Sequence, residues 1–206
     1  MRQAWGLFLI LLLVSFGANV FAQEFPEEEP DPIEPEWADI MTASYVKGDK
    51  NFVITLGVLF PTYFTGSEIE NNRHGLSLGG TGSLSFNYFL TRSIFAGAEL
   101  SGSFSGTRGG NMMYMIPLGA RFGYQFLRQR FEFPFSLLIG GMGQRYLEKG
   151  YIGLILKPGA SIFWRYNPEW SFGLNGMWWF VPQWPKNGQE VFGNFMELTL
   201  SARYHF

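Results

Sequence analysis

Apolar and polar residues alternate with a period of two along most of the chain from Lys50 onward. The stretch Gly193 to Phe206 is the sharpest case. Met196, Leu198, Leu200, Ala202, Tyr204 and Phe206 take one face, and Glu197, Thr199, Ser201, Arg203 and His205 take the other. Strict alternation of this length specifies a strand, because successive Cβ atoms of an extended chain point to opposite sides. The pattern recurs seven times upstream and predicts strands over Lys50 to Phe60, Leu76 to Leu90, Ser93 to Phe104, Met112 to Phe126, Phe131 to Gly141, Ile152 to Tyr166 and Trp170 to Phe180. Polar, glycine-rich or proline-containing stretches separate them. Pro61 to His74, Ser105 to Gly110, Gln144 to Lys149 and Pro182 to Gly193 read as loops. Thr91-Arg92, Leu127 to Arg130 and Asn167-Pro168 read as short turns.

An apolar face on every strand, with a polar face opposite, suits lipid outside and a polar lumen inside. The predicted fold class is therefore all-β, an eight-stranded antiparallel up-and-down transmembrane β-barrel. Strands of about 10 residues or more, tilted by roughly 40°, cross an apolar band about 25 Å tall. The outward aromatics are ordered along that band. Tyr88, Tyr124, Phe126, Phe131, Trp164, Tyr166, Trp170, Tyr204 and Phe206 gather at the short-turn end, where an interfacial girdle is expected. Phe60, Phe104, Tyr114, Trp178 and Phe180 form a sparser ring at the other end.

Composition narrows the class further. Charged residues are 16% of the chain and aromatics 18%, with 22 Phe and 7 Trp, far from the balance of an ordinary soluble domain. There are no cysteines, which excludes disulfides, thiolate metal sites and a lipoprotein anchor. Residues 1–22 read as a signal peptide: Arg2, the apolar run Leu7 to Val14, then Val20-Phe21-Ala22 before Gln23. Residues 23–49 read as an acidic, proline-rich periplasmic linker, and residues 50–206 as the outer-membrane barrel. From Gln23 to Asp39 the linker holds eight acids, four prolines and no Lys or Arg, whereas residues 40–206 carry an excess of base. That linker is either a solvated tether or a segment that folds over the basic mouth of the barrel.

With the export signal, the strand Ile116 to Phe126 (IPLGARFGYQF) and the terminal Phe206, the chain resembles the small eight-stranded bacterial outer-membrane β-barrel family of the OmpW, OmpX and OmpA types. The resemblance covers residues 50–206 and its motifs are architectural. It implies a Gram-negative-type envelope, a location in the cell outer membrane and both termini in the periplasm. It also implies that Tyr204 and Phe206 serve as an insertion signal read by the barrel-assembly machinery. The implied partners are outer-membrane lipid and that machinery, with a monomeric barrel, no nucleic acid and no cofactor.

The inward positions divide by height. Near the short turns they are charged, and Glu99, Arg121, Lys157, Glu197 and Arg203 are the candidate lumen charge network. Buried charges must be paired, and Glu99 and Arg121 are placed at matching heights on adjacent strands. Such a network is either a structural plug or a gated ion path. Toward the other end the lumen becomes apolar. Leu59, Met113, Met115, Leu138, Met142, Ile155, Met177, Trp179 and Phe195 are the candidate apolar pocket, or else they simply fill the barrel. Pro117 and Pro158 fall within strands, remove ladder hydrogen bonds and are candidate points of lateral opening.

Eight strands leave room for side chains or one small ligand, so a wide porin is not expected. No catalytic or metal-binding constellation emerges. The two histidines, His74 and His205, fall in a loop and at the short-turn end. The expected function is non-enzymatic: binding or passive passage of small hydrophobic molecules, a route that the OmpW type resemblance also implies. The alternative is a structural or adhesin-like protein acting through its outer loops.

Overall fold

The computed structural model describes residues 44–66, 75–107, 109–146, 149–184 and 191–206. Eight strands run antiparallel in chain order: β1 (Lys50–Gly66), β2 (Leu76–Phe89), β3 (Ile94–Thr107), β4 (Met112–Arg128), β5 (Phe131–Tyr146), β6 (Lys149–Arg165), β7 (Trp170–Gln183) and β8 (Val191–His205). They form a closed barrel, β1 pairing with both β2 and β8. The closing ladder runs from Asn51 opposite His205 to Gly66 opposite Val191, so sheet edges are eliminated as closure requires.

The eight strands of the sequence reading are all present, but several extend further at the end away from the short turns. Pro61 to Gly66 belongs to β1 rather than to a loop, because β8 offers it partners up to Val191. The register shifts between Pro61 and Tyr63, a bulge that absorbs the proline within the wall. Gly141 to Tyr146 likewise continues β5 and pairs with Met113 to Leu118 of β4. β6 starts at Lys149 and β7 runs to Gln183. The signal peptide and the acidic stretch Gln23 to Asp39 lie outside the described residues.

The short turns are held locally. Thr91 Oγ1 accepts from the amides of Ser93 (3.3 Å) and Ile94 (3.0 Å). Asn167 Oδ1 accepts from Glu169 (3.0 Å) and Trp170 (2.7 Å), the usual way a short polar side chain stands in for a backbone acceptor. Between β4 and β5 the chain reverses through Gln129 and Arg130, with Gln129 at φ 54°. Where two strands approach most closely, glycine is required. A Cβ on Gly140 would lie 2.2 Å from the Leu118 carbonyl oxygen, and one on facing Gly119 would lie 2.5 Å from that of Ile139.

The barrel is apolar outside, and its interior is polar toward the short turns and apolar toward the other end. Leu56, Leu118, Leu154 and Leu200 are exposed by 57 to 74%. Neighbouring exposed positions on every strand are also large and apolar. Such a continuous belt far exceeds the few hundred Å² usual on a soluble monomer. Its aromatic rim at the short-turn end is in contact with itself: Trp164 meets Tyr166 at 5.7 Å, Trp170 meets Tyr204 at 5.0 Å, and Tyr204 meets Phe206 at 5.2 Å between ring centroids. Phe206 is 63% exposed, and its backbone amide donates to the Lys50 carbonyl at 3.1 Å, fixing the last residue to the first strand.

Candidate functional site

The lumen is filled in three tiers. The lowest is centred on Glu132, which β5 presents inward just above the β4–β5 turn. Its carboxylate receives Arg165 Nε at 2.8 Å and Arg203 Nη1 at 2.6 Å. Gln125 Nε2 donates to it at 3.0 Å, and the hydroxyl of Tyr45 donates at 2.7 Å. Phe163 lies beneath the Arg203 guanidinium, 3.6 Å from its central carbon. Arg203 thus belongs to Glu132 and not to the network of Glu99, where the sequence reading had put it. Counting positions from the turns sets a residue's height but not the direction in which a long side chain leans.

Tyr45 was not anticipated as part of the site, because it precedes the first alternating strand. It is nevertheless 3% exposed. Its ring stacks on Phe89 at 3.9 Å. The chain enters the mouth through Gly48, whose φ of 107° suits glycine and whose amide donates to the Phe89 carbonyl at 3.0 Å. The buried part of the barrel therefore begins ahead of Lys50, within the stretch assigned to the linker. Burial raises the Tyr45 phenol to about 12, against the pull of the Arg203 charge. The sequence signal was a lone aromatic ring just before a Gly-Asp turn.

His205 and Ser171 complete this tier. Ser171 Oγ lies 2.8 Å from His205 Nε2, while His205 Nδ1 faces the Tyr45 hydroxyl (3.3 Å) and Arg165 Nη2 (3.5 Å). Ser171 Oγ also lies 3.4 Å from Glu132 Oε1 and Ser171 is fully buried, so the contact satisfies polar atoms under the Tyr45 cap. Among the described residues no cluster of His, Asp or Glu is placed to hold a metal ion.

The middle tier joins four charges. Arg121 Nη1 is 3.0 Å from Glu99 Oε2, as diagonal neighbours on β4 and β3. Lys157 Nζ reaches across the lumen to Glu99 Oε1 at 2.7 Å and also lies 3.3 Å from Glu197 Oε2. Ser101 Oγ is within 3.1 Å of the ammonium, and Ser136 Oγ within 3.1 Å of Arg121 Nη2. Two acids and two bases balance, each almost wholly buried. This arrangement ties β3 and β4 to β6 and β8 across the lumen.

Above it lies an apolar tier. Leu59, Met113, Met115, Leu138, Met142, Ile155, Met177, Trp179, Val181 and Phe195 form one buried cluster, each at most 4% exposed. Trp179 couples the tiers: its indole N–H donates to Glu197, and Lys157 Nζ stands 4.5 Å from its ring centroid.

Pro117 and Pro158 both coincide with gaps in the ladders. Between β3 and β4 pairing stops at Leu100–Leu118 and resumes at Ser103–Met115, so the gap at Pro117 is closed on both sides. Between β6 and β7 it skips Lys157 and Pro158 and resumes at Leu156–Phe180. No further β6–β7 partner pair follows among the described residues, although β6 continues to Lys149 and β7 to Gln183. The two strands are linked there by the amide of Trp184, which donates to the Tyr151 hydroxyl at 3.1 Å.

A protein-family model matches residues 28–204. A protein of Treponema pallidum (strain Nichols), itself uncharacterized, is 35% identical over 101 residues, which cover 48% of this chain and 46% of that one. The match therefore spans about half the length of that relative. Among solved structures, the outer membrane protein OprG of Pseudomonas aeruginosa superposes with a TM-score of 0.56 at 10% identity, over 79% of this chain and 97% of that one. Neisserial surface protein A also gives 0.56, at 11% identity, over 78% of this chain and 98% of that one. At these identities the likeness is one of fold.

Proposed function

This chain belongs to the family whose model spans residues 28–204 and has the fold of the small eight-stranded outer-membrane β-barrels, and from that premise we propose that it binds small apolar molecules and passes them into the membrane. Its residence is the cell outer membrane, with residues 1–22 as export signal and both termini periplasmic. The uninterrupted apolar exterior and its aromatic rim support that residence.

One observation carries the functional reading: Ile155 of β6 with Met177 and Trp179 of β7 flank the β6–β7 seam and belong to the buried apolar cluster, and Trp179 joins that cluster to the charge network. An apolar solute entering from outside would meet flexible, polarisable side chains that can yield to it. It could not continue downward, because displacing Lys157 from two carboxylates leaves buried charges without their partner. The lowest-cost exit is sideways. Of the two prolines, Pro158 fits that role better, because above it the β6–β7 ladder resumes only for the pair Leu156–Phe180 among the described residues, whereas above Pro117 four β3–β4 pairs follow, from Ser103–Met115 to Gly106–Met112.

The test is uptake of naphthalene by vesicles whose outer leaflet is lipopolysaccharide, with the barrel inserted. Met115→Arg and Trp179→Ala should lower protein-dependent uptake several-fold while leaving strand content unchanged. Undiminished uptake by both variants contradicts the reading. If cell binding is instead removed by replacing the outer loops, the adhesin-like alternative takes its place.

A further inference from the structure

The upper lumen is chemically two-sided, and the two sides come from different strands. The apolar cluster is supplied by β1 and by β4 through β8. Apart from Leu76, which packs against the apolar cluster from the outer end of β2, the wall formed by β2 and β3 presents small side chains at these levels: Gly79, Thr81, Ser83 and Ser85 from one strand, Ser101, Ser103 and Ser105 from the other. Thr81 stands opposite Ser103, and Gly79 opposite Ser105.

Most lumen hydroxyls at lower levels have partners. Ser83 Oγ meets Thr55 Oγ1 at 2.8 Å, Ser101 Oγ donates to Glu99 at 2.8 Å, and Ser85 Oγ lies 3.4 Å from Arg121 Nη1. Higher up, Thr81 Oγ1, Ser103 Oγ and Ser105 Oγ are buried with no hydrogen-bond partner, and their residues are 3, 6 and 0% exposed. A buried hydroxyl left without any partner costs roughly 1–3 kcal/mol, so three on one small patch concentrate hydrogen-bonding capacity that the protein itself does not fill. A wall that only had to fill space would carry alanine or valine there at no such cost.

The geometry points to a binding site for a small amphipathic molecule with one uncharged polar group, such as an alcohol or an amide. Its apolar body would rest against Met113, Met115, Met142 and Met177, and its hydroxyl or carbonyl would be taken by Thr81, Ser103 and Ser105. The head group should be neutral. Lys157 and Arg121 are already matched by Glu99 and Glu197, so a carboxylate would arrive as an unpaired charge and an ammonium likewise. This inference rests on the proposed entry of apolar solutes into the upper lumen and adds to it a preference within that class.

Methionine methyl groups supply the readout. With ¹³C-methyl methionine in the full barrel in lipid nanodiscs, Met113, Met115, Met142 and Met177 report the lumen. Met112 and Met196, exposed by 42 and 47% on the outer face, report partition into lipid. The probes are 1-octanol and n-octane. Saturable shifts of the lumen methyls are expected with 1-octanol, at an affinity at least tenfold higher than with octane. Replacing the three hydroxyl residues (Thr81→Val with Ser103→Ala and Ser105→Ala) should remove unpartnered polar atoms, stabilise the barrel and weaken octanol binding by about tenfold or more, with octane unaffected. Equal binding of the two probes, with no effect of the triple substitution, overturns the hydroxyl site but leaves apolar uptake standing. Shifts confined to Met112 and Met196 for both probes overturn both.

Discussion

Replacing Lys157 with methionine isolates the energetics of the central charge network. The stem length is nearly kept, so packing against Trp179 changes little and no cavity opens. What is lost is a charge that serves two acids, at 2.7 Å from Glu99 and 3.3 Å from Glu197. The two acids are not left equally exposed to that loss. Glu99 keeps Arg121 at 3.0 Å and Ser101 at 2.8 Å, whereas among the described residues Glu197 keeps the indole N–H of Trp179 and a longer-range attraction to Arg121. Removing one member of a buried pair costs about 3–5 kcal/mol, because the remaining charge is stranded out of water. Lys157→Met should therefore lose that amount in reversible urea unfolding from phosphocholine vesicles, with the m value unchanged. The asymmetry gives a sharper expectation. Adding Glu197→Gln should restore more than half of the loss, since the amide oxygen still accepts from Trp179. Adding Glu99→Gln should restore little, because it leaves Arg121 without its carboxylate. A single-variant cost below about 1 kcal/mol, or two double variants of equal stability, refutes the network as described.

Three further expectations follow from other tiers and faces. Tyr45→Phe removes a hydrogen bond to a buried carboxylate that retains both arginines, and should cost about 1–2 kcal/mol in the same unfolding assay. Since the folded Tyr45 phenol is raised to about 12 from 10, its contribution is complete below pH 10 and is lost as pH rises through 12; phenolate absorbance of wild type against Tyr45→Phe measures it. Leu200→Arg places a charge on the lipid face at a position 67% exposed and should destabilise the inserted barrel by about 2–4 kcal/mol, with little effect on a detergent-solubilised form. Gly140→Ala sets a methyl 2.2 Å from the Leu118 carbonyl oxygen and 2.5 Å from Gly119 Cα, so β4 and β5 must part; about 1–3 kcal/mol should be lost and hydrogen exchange at the β4–β5 ladder should quicken.

How far the sequence could be read depended on whether the relevant physics was local. Alternation is local, and it located all eight strands and the inward sense of positions such as Leu59, Glu99, Trp179 and Arg203, but not of the buried rings Phe89, Phe95 and Phe163. Strand ends are not local. Gly141 to Tyr146 has the composition of a loop, yet it pairs because Met113 to Leu118 of β4 stands beside it. Pro61 looked like a terminator and is instead accommodated by a bulge against β8. The meeting of Glu99 with Arg121 follows from their heights on adjacent strands. The reach of Lys157 across the lumen to Glu99, and of Arg203 to Glu132, depends on how long side chains lean in a shared interior. Tyr45 was hidden for another reason: no periodicity marks a single residue tucked into the mouth of a barrel.

The central claim is that solutes leave sideways through the β6–β7 seam, and the cysteine-free chain allows it to be tested with one engineered pair. Continuing the register beyond Leu156–Phe180 sets Ile155 against Val181. Cysteines at both positions, oxidised in the inserted barrel, would staple the seam. The account predicts that naphthalene uptake falls to the level of protein-free vesicles on oxidation and returns on reduction. Full uptake through a completely crosslinked barrel would contradict it.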